Sequence, residues 1–290
     1  MNKIKTTTDT IYNEYIKKDI TIVHISDIHF SKITKKKNLD KLVKYIKNIN
    51  PNYIMITGDI IDSREIKEDK LKIKELFSFL GNLGKLAKVL ISLGNHDILC
   101  HDDYTFFDEV SKLDNVHALN DCAYHDEFLY VFGYTLPSEY YYNINKSESA
   151  EVLIKKLDEC NKQLVKIPKH TCSVALIHSP IRLTNPEVIT RLKEFDLILC
   201  GHTHNGMVPD ILKPFFRGNS GLVAPGKRLF PKIAKGKIVI PTDKHNLTII
   251  INGAITKLSE RSGKIFSRLN FAYNQSVNKI IIKKEGDKNE

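Results

Sequence analysis

The stretch Thr21–His29, T-I-V-H-I-S-D-I-H, sets the reading of the whole chain. A β-branched run of strand type ends in a turn that carries Asp27 and His29 one residue apart. The same device returns along the sequence. Tyr53–Thr57 runs into G-D-I-I-D with Asp59, Val89–Leu93 into G-N-H-D with Asn95 and His96, and Ser173–Ile177 into His178. Leu197–Cys200 ends in G-H-T-H with His202 and His204. Loops at strand ends are where α/β folds keep their chemistry.

Between these runs the periodicity changes. Leu39, Leu42, Val43, Ile46 and Ile49 fall at helical spacing and stop at Pro51. Helices are predicted over Leu71–Leu83, Tyr104–Leu113, Ser147–Leu164 and Asn185–Lys193, and a further strand over Phe128–Gly133. Leu247–Ile251 and Lys279–Ile282 read as strands closing a second sheet. The β-α-β-α alternation predicts a mixed α/β fold with helices outside the strands. Because the five polar blocks must meet to act together, residues 20–283 are expected to form one domain. Residues 1–19 are then an N-terminal extension and 284–290 a C-terminal tail.

At 290 residues and 42% apolar, the chain can bury a sizeable core. The net charge is +10, but 37 of the 44 basic residues are Lys and only 7 are Arg. That balance fits a Lys-rich composition bias better than a nucleic-acid surface built from guanidinium forks. It would still attract phosphates and anionic lipid head groups. Five widely spaced cysteines, Cys100, Cys122, Cys160, Cys172 and Cys200, contain no C-x-x-C pair and suit a reducing cytosol. No apolar run reaches signal-peptide or bilayer-spanning length, so the expected location is the cytoplasm or loosely the inner membrane face.

Asp27, His29, Asp59, Asn95, His178, His202 and His204 are all metal-binding residue types, and their arrangement at strand ends points to a two-metal hydrolase. Two divalent cations about 3.5–4 Å apart can neutralise a phosphoryl group and hold its attacking and leaving oxygens. Mixed imidazole and carboxylate donors suit manganese, iron, zinc or nickel better than calcium or magnesium alone. Any one block alone would be a turn or cap; the ordered set of five carries the inference.

The order D-x-H, G-D, G-N-H-D, H, G-H-x-H resembles the calcineurin-like metallophosphoesterases. The Pro214–Gly236 stretch, P-F-F-R-G-N-S-G-L-V-A-P-G-K-R-L-F-P-K-I-A-K-G, is similar to the bacterial YaeI-like phosphodiesterase branch in particular. The resemblance implies a four-layer α/β/β/α sandwich of two mixed β-sheets flanked by helices. It implies a first metal held by Asp27, His29, Asp59 and His204, and a second by Asp59, Asn95, His178 and His202, with Asp59 as the bridge. A phosphate ester would be hydrolysed by in-line attack of a hydroxide bridging the two ions. His96 would then protonate the leaving oxygen or steady the phosphoryl charge, oriented by Asp62. Protein-phosphatase relatives have Arg directly after that Asp. This chain has Ser63 and then Arg64, a departure that weighs against a protein Ser/Thr phosphatase.

Among the remaining histidines, His24 reads as a packed strand residue, and His101, His117, His125, His170 and His245 as surface. Asp97 is a candidate to steady the metal ligands from behind, and Asp102 or Asp103 a helix cap. The basic and aromatic segment Lys213–Lys237 suits either a solvated loop or a substrate- or membrane-facing lobe. Tyr134 and Tyr140–Tyr142 are a candidate substrate wall. A phosphodiester, a nucleotide, and a lipid-linked or nucleotide pyrophosphate at the membrane face all fit such a site. A nuclease and a metal-free interaction scaffold are less favoured, because Arg is scarce and no ligand position is missing.

Overall fold

The computed structural model describes residues 4–31, 34–62, 69–99, 109–142, 146–163, 167–168, 170–208, 210–225, 228–255 and 275–284. Two six-stranded mixed sheets stack face to face. The first has the order β1-β14-β2-β3-β4-β5, from β1 (Ile4–Asn13), β2 (Ile20–Ile25), β3 (Tyr53–Thr57), β4 (Lys88–Ser92), β5 (Val116–Leu119) and β14 (Gln275–Lys284). The second has the order β12-β13-β9-β8-β7-β6, from β6 (Cys122–His125), β7 (Leu129–Tyr134), β8 (Cys172–Ile177), β9 (Leu197–Cys200), β12 (Gly236–Pro241) and β13 (Asn246–Ile251). A two-stranded ribbon, β10 (Val223–Ala224) with β11 (Arg228–Leu229), stands apart.

Helices α1 (Lys36–Ile49) and α2 (Lys70–Gly84) cover the first sheet through Leu39, Leu42, Ile46, Leu76, Phe79, Leu80 and Leu83. Helices α5 (Lys146–Gln163) and α6 (Pro186–Leu192) cover the second through Leu153, Leu157, Val188 and Leu192. Between the sheets lies a third apolar layer, with Ile20, Ile22, Met55 and Leu90 facing Val131, Val174, Leu176, Leu197 and Leu199. These layers make the four-layer α/β/β/α sandwich. The central strands are buried on both faces, which is why Y-I-M-I-T, C-S-V-A-L-I and L-I-L-C are nearly continuous apolar runs rather than alternating ones. Two short helices, α3 (Asn95–Leu99) and α4 (Ser138–Tyr142), belong to the site.

Two expectations change. Lys279–Ile282 lies in β14, which closes the first sheet rather than the second, antiparallel to β2 and parallel to β1. Val277 packs on the helix-covered face and Ile280 and Ile282 between the sheets, which specifies a strand buried on both sides but not which sheet accepts it. Residues 4–13, read as part of an extension, form β1, the edge of that same sheet, and β14 carries the domain as far as Lys284. In the helix read over Tyr104–Leu113, residues 109–111 are helical and the start lies outside the described residues.

At the end of the sandwich where β3 and β4 begin, one carboxylate ties the two sheets. Asp126 Oδ2 accepts from the Tyr53 hydroxyl at 2.7 Å and the Tyr124 hydroxyl at 2.9 Å; Oδ1 accepts from the N–H groups of Phe128 and Leu129 at 3.0 and 3.1 Å. Burial pushes this carboxyl up, but the hydrogen bonds outweigh it and hold it below the ordinary 3.8. A depressed carboxylate contributes stability that is present above its unfolded value and is lost as pH falls through the folded one. Asp126→Asn is therefore expected to lower the melting temperature at pH 7 by several degrees. The gap to the parent should close as pH is brought below 3.8, which thermal unfolding across pH measures.

Candidate metal centre

Five loops converge at the carboxyl ends of β2, β3, β4, β8 and β9, where the two sheets meet. The D-x-H loop lies along the G-D loop as an extension of the β2–β3 pairing. The N–H groups of Asp27, His29 and Phe30 donate to the carbonyls of Gly58, Asp59 and Ile60 at 3.1, 2.9 and 2.7 Å. Across the joint, the His202 N–H donates to Asp27 Oδ2 at 2.8 Å, and His178 Nδ1 donates to the Thr57 carbonyl at 2.6 Å, which leaves Nε2 facing inward.

The result is three overlapping clusters in which ligand atoms lie within 4.8 Å of one another: Asp27 with His29 and His204, His29 with Asp59 and His96, and Asp59 with His178 and His202. Asp59 links them, its Oδ2 lying 3.3 Å from His178 Nε2 and 3.7 Å from His29 Nε2. Asp27 Oδ1 lies 3.4 Å from His204 Nε2 and 3.7 Å from His29 Nε2. Asn95 opens α3, directly before His96, whose N–H donates to Asp59 Oδ1 at 2.8 Å. Of the nine residues singled out for metal or catalysis, eight belong to these clusters or stand next to them in the chain. The ninth, Asp62, is 5% exposed and places its carboxylate 3.8 Å from His96 Nδ1, outside hydrogen-bond range. Ser63 and Arg64 lie outside the described residues.

Backbone and burial are both unusual here. Asp27, His29, Asp59, His202 and His204 all have φ between 44° and 68°, the left-handed region that residues with side chains rarely enter. Two glycines admit the close approach. A methyl group added at Gly94 would collide with Asp59 Oδ1, and one at Gly201 with the Ser26 hydroxyl and Asp27 Oδ2. Asp27 is fully buried and Asp59 is 2% exposed. Burial alone would protonate both carboxyls, but His204 and His29 beside Asp27, and His178 and His29 beside Asp59, hold both well below the carboxylate range. Burial and the neighbouring His178 push His202 down to about 3, and burial lowers His204. Against burial, the Asp59 carboxylate raises His178 to about 9.

This donor set fits divalent cations. Asp27 Oδ1, Asn95 Oδ1 and His178 Nε2 are buried and have no hydrogen-bond partner among the described residues, and Asp27 and His178 belong to the clusters that Asn95 adjoins through His96. Buried polar atoms are seldom left that way, whereas carboxylate, amide and imidazole atoms at these spacings are what transition-metal cations satisfy. Geometry alone admits His96 both as a ligand and as a proton donor.

The sequence profile of the calcineurin-like phosphoesterases matches residues 20–206, which includes every residue of these clusters. The chain belongs to the calcineurin-like phosphoesterases. Members of this family work through a dinuclear metal centre. An uncharacterised metallophosphoesterase of Campylobacter jejuni is 28% identical over 195 residues, 67% of this chain and 46% of that protein. The chain thus spans about half the length of the curated relatives it first matches. The UDP-2,3-diacylglucosamine pyrophosphatase LpxG of Chlamydia muridarum is 24% identical over 261 residues, 79% of this chain and 76% of that one. A dimetal phosphatase structure from Danio rerio aligns over 81% of this chain and 87% of its own at 12% identity, with a TM-score of 0.45.

Two supporting groups lie inside or beside the motifs. Ser26 donates to Asp27 Oδ2 at 2.6 Å and to the Thr57 carbonyl at 2.8 Å, an adjacency to Asp27 that the sequence shows but does not explain. Asp97 is fully buried behind the centre. Its Oδ2 accepts from the Gly94 N–H at 2.8 Å and its Oδ1 from the N–H groups of Ile60 and Ile61 at 2.9 and 3.2 Å, so it ties the G-D loop to the G-N-H-D loop. Burial and the nearby Asp59 charge push its carboxyl up to about 7. Removing all three acceptor contacts with Asp97→Ala is expected to cost about 3–5 kcal/mol and to lower metal content. Asp97→Asn, which keeps one carbonyl oxygen, should lose less on both counts, as read by thermal unfolding and elemental analysis.

Proposed function

We propose that this chain is a metal-dependent phosphoesterase, and one observation carries the reading. The Asp59 carboxylate sits between the Asp27–His29–His204 cluster and the His178–His202 pair, within 3.3–3.7 Å of an imidazole nitrogen on each side. Asp27, His29, Asp59 and His204 would hold one divalent ion, and Asp59, Asn95, His178 and His202 the other. When bound, the pair supplies charge to the phosphoryl oxygens and an activated water for attack on phosphorus. The imidazole and carboxylate mixture favours manganese, iron, zinc or nickel.

The chain's own groups then divide the work. Asp97 and Ser26 fix the loops. His96, 22% exposed in its side chain, is the proton donor to the departing oxygen; with Nδ1 turned towards Asp62, Nε2 is left to face the substrate. A small phosphodiester, as in the YaeI-like branch, is the first substrate class. Scarce arginine argues against nucleic acid.

A second reading, a lipid-linked or nucleotide pyrophosphate taken at a membrane face, rests on the lobe after G-H-T-H. Phe215, Leu229 and Phe230 are 80%, 68% and 65% exposed, and Phe216 stacks on Phe230. The lobe is fixed to the ligand turn: the Leu222 N–H donates to the Gly206 carbonyl at 2.8 Å, and the Thr203 hydroxyl to the Ala234 carbonyl at 2.7 Å. Exposed rings in a basic chain suit anionic head groups with acyl tails, and the likeness to LpxG points the same way. No helix among the described residues is long and apolar enough to cross a membrane. A cytoplasmic enzyme with peripheral contact to anionic lipid accommodates both readings.

Turnover of mono-, di- and pyrophosphate esters with manganese supplied tests the reaction class; no hydrolysis of any of them would reject it. Asp59→Asn is expected to lose both ions and nearly all hydrolysis, and elemental analysis finding two retained ions would overturn the bridging role. His96→Ala should keep both ions while turnover falls roughly 10²–10⁴-fold. Parental turnover of that variant on an ester with a poor leaving group would remove His96 as the acid.

A further inference from the structure

The three consecutive tyrosines of α4 have different surroundings. Tyr140 is 2% exposed, and its hydroxyl donates to the Ile181 carbonyl, just past His178. Tyr142 is 58% exposed. Tyr141, between them, lays its ring against both imidazoles of the Asp59–His178–His202 cluster, with centroids 6.0 Å from His178 and 5.2 Å from His202. An edge contact with the Tyr140 ring at 5.1 Å and the packing of α4 against α3 hold it there.

The Tyr141 hydroxyl is buried and has no hydrogen-bond partner among the described residues. A buried phenol usually has one. A phenol keeps its proton at neutral pH, so the group is a neutral donor. A buried donor set against His178 and His202, with no partner of its own among the described residues, is suited to an anionic oxygen that arrives with the ligand.

We propose that Tyr141 is a substrate-binding residue whose hydroxyl donates a hydrogen bond to a phosphoryl oxygen held beside His178 and His202. The inference rests on the phosphoesterase reading above and names a contact within that site. No bond is made or broken at Tyr141; the phenol keeps its proton throughout.

The test compares the full chain with Tyr141→Phe, both loaded with manganese. Elemental analysis gives the ion content, calorimetry the affinity for inorganic phosphate, and steady-state kinetics kcat and KM on a chromogenic phosphodiester. Tyr141→Phe is expected to keep two ions while phosphate affinity falls about 10- to 100-fold. Tyr142→Phe, on the exposed side of the same helix, keeps the parental affinity. Tyr141→His, which retains a ring N–H donor, should bind phosphate more tightly than Tyr141→Leu, a comparison that stands even if the Phe variant fails to fold. Unchanged phosphate affinity in a Tyr141→Phe protein with two ions overturns the contact alone. Loss of ions in that variant also overturns it, because the hydroxyl would then be serving the ligand histidines. A parent chain that neither binds phosphate nor hydrolyses any ester rejects the phosphoesterase reading and the contact with it.

Discussion

Two carboxylates, Asp27 and Asp59, are buried almost completely at the joint between the sheets, and the structure around the site answers to that constraint. A charge removed from water must be matched by cations and oriented N–H groups or it will neutralise itself. Here the answer comes from both sheets at once. The His202 N–H from the end of β9 reaches Asp27, the His96 N–H from the end of β4 reaches Asp59, and imidazoles from the far sheet crowd both. The same contacts that tame the charges dock the sheets, so the site is part of what holds the sandwich together at that end.

The left-handed backbone at five ligand positions follows from the same demand. Asp27 and His29 are separated by one residue and would normally share one face of a strand, yet they turn towards one point beyond its end. Conformational cost accepted at these positions is offset through hydrogen bonds such as those from Ser26 and to Asp97. Asp97 is the clearest instance, since a single side chain spans two motif loops without touching the ligand space.

Much of this was legible in the sequence. Buried central strands are nearly continuous apolar runs, so β2, β3, β4, β8 and β9 and the polar turn after each could be located, and with them the residues that the structure gathers into the three clusters. The edges were not legible. β6 is largely exposed, and β12 alternates half-buried Ile238 and Ile240 with exposed Val239, a residue as apolar as its neighbours, so the residue types show no polar-to-apolar alternation to detect. β14 reads as a strand, but nothing local states which sheet will take it. Tyr141 belonged to a run noticed for its composition; only the placement of α4 between α3 and the His178 loop separates its environment from those of Tyr140 and Tyr142. Ser26 and Asp97 sat inside or beside motifs, but hydrogen-bonding roles of this kind depend on loops brought together from distant parts of the chain.

The pairing of β1 with β14 has a bearing on how the chain acquires its shape. Ile4 aligns with Gln275 and Asn13 with Lys284, and β14 in turn supplies the neighbour of β2. Among the described strands, β1 therefore has no hydrogen-bonding neighbour in its sheet until β14 has been made, and β2 lacks its β14 neighbour for the same interval. Loop closure over such a separation is slow relative to local pairing. Until then β1 and the β14-facing edge of β2 are open to edge-to-edge association, and the β1–β14–β2 ladder forms late in folding.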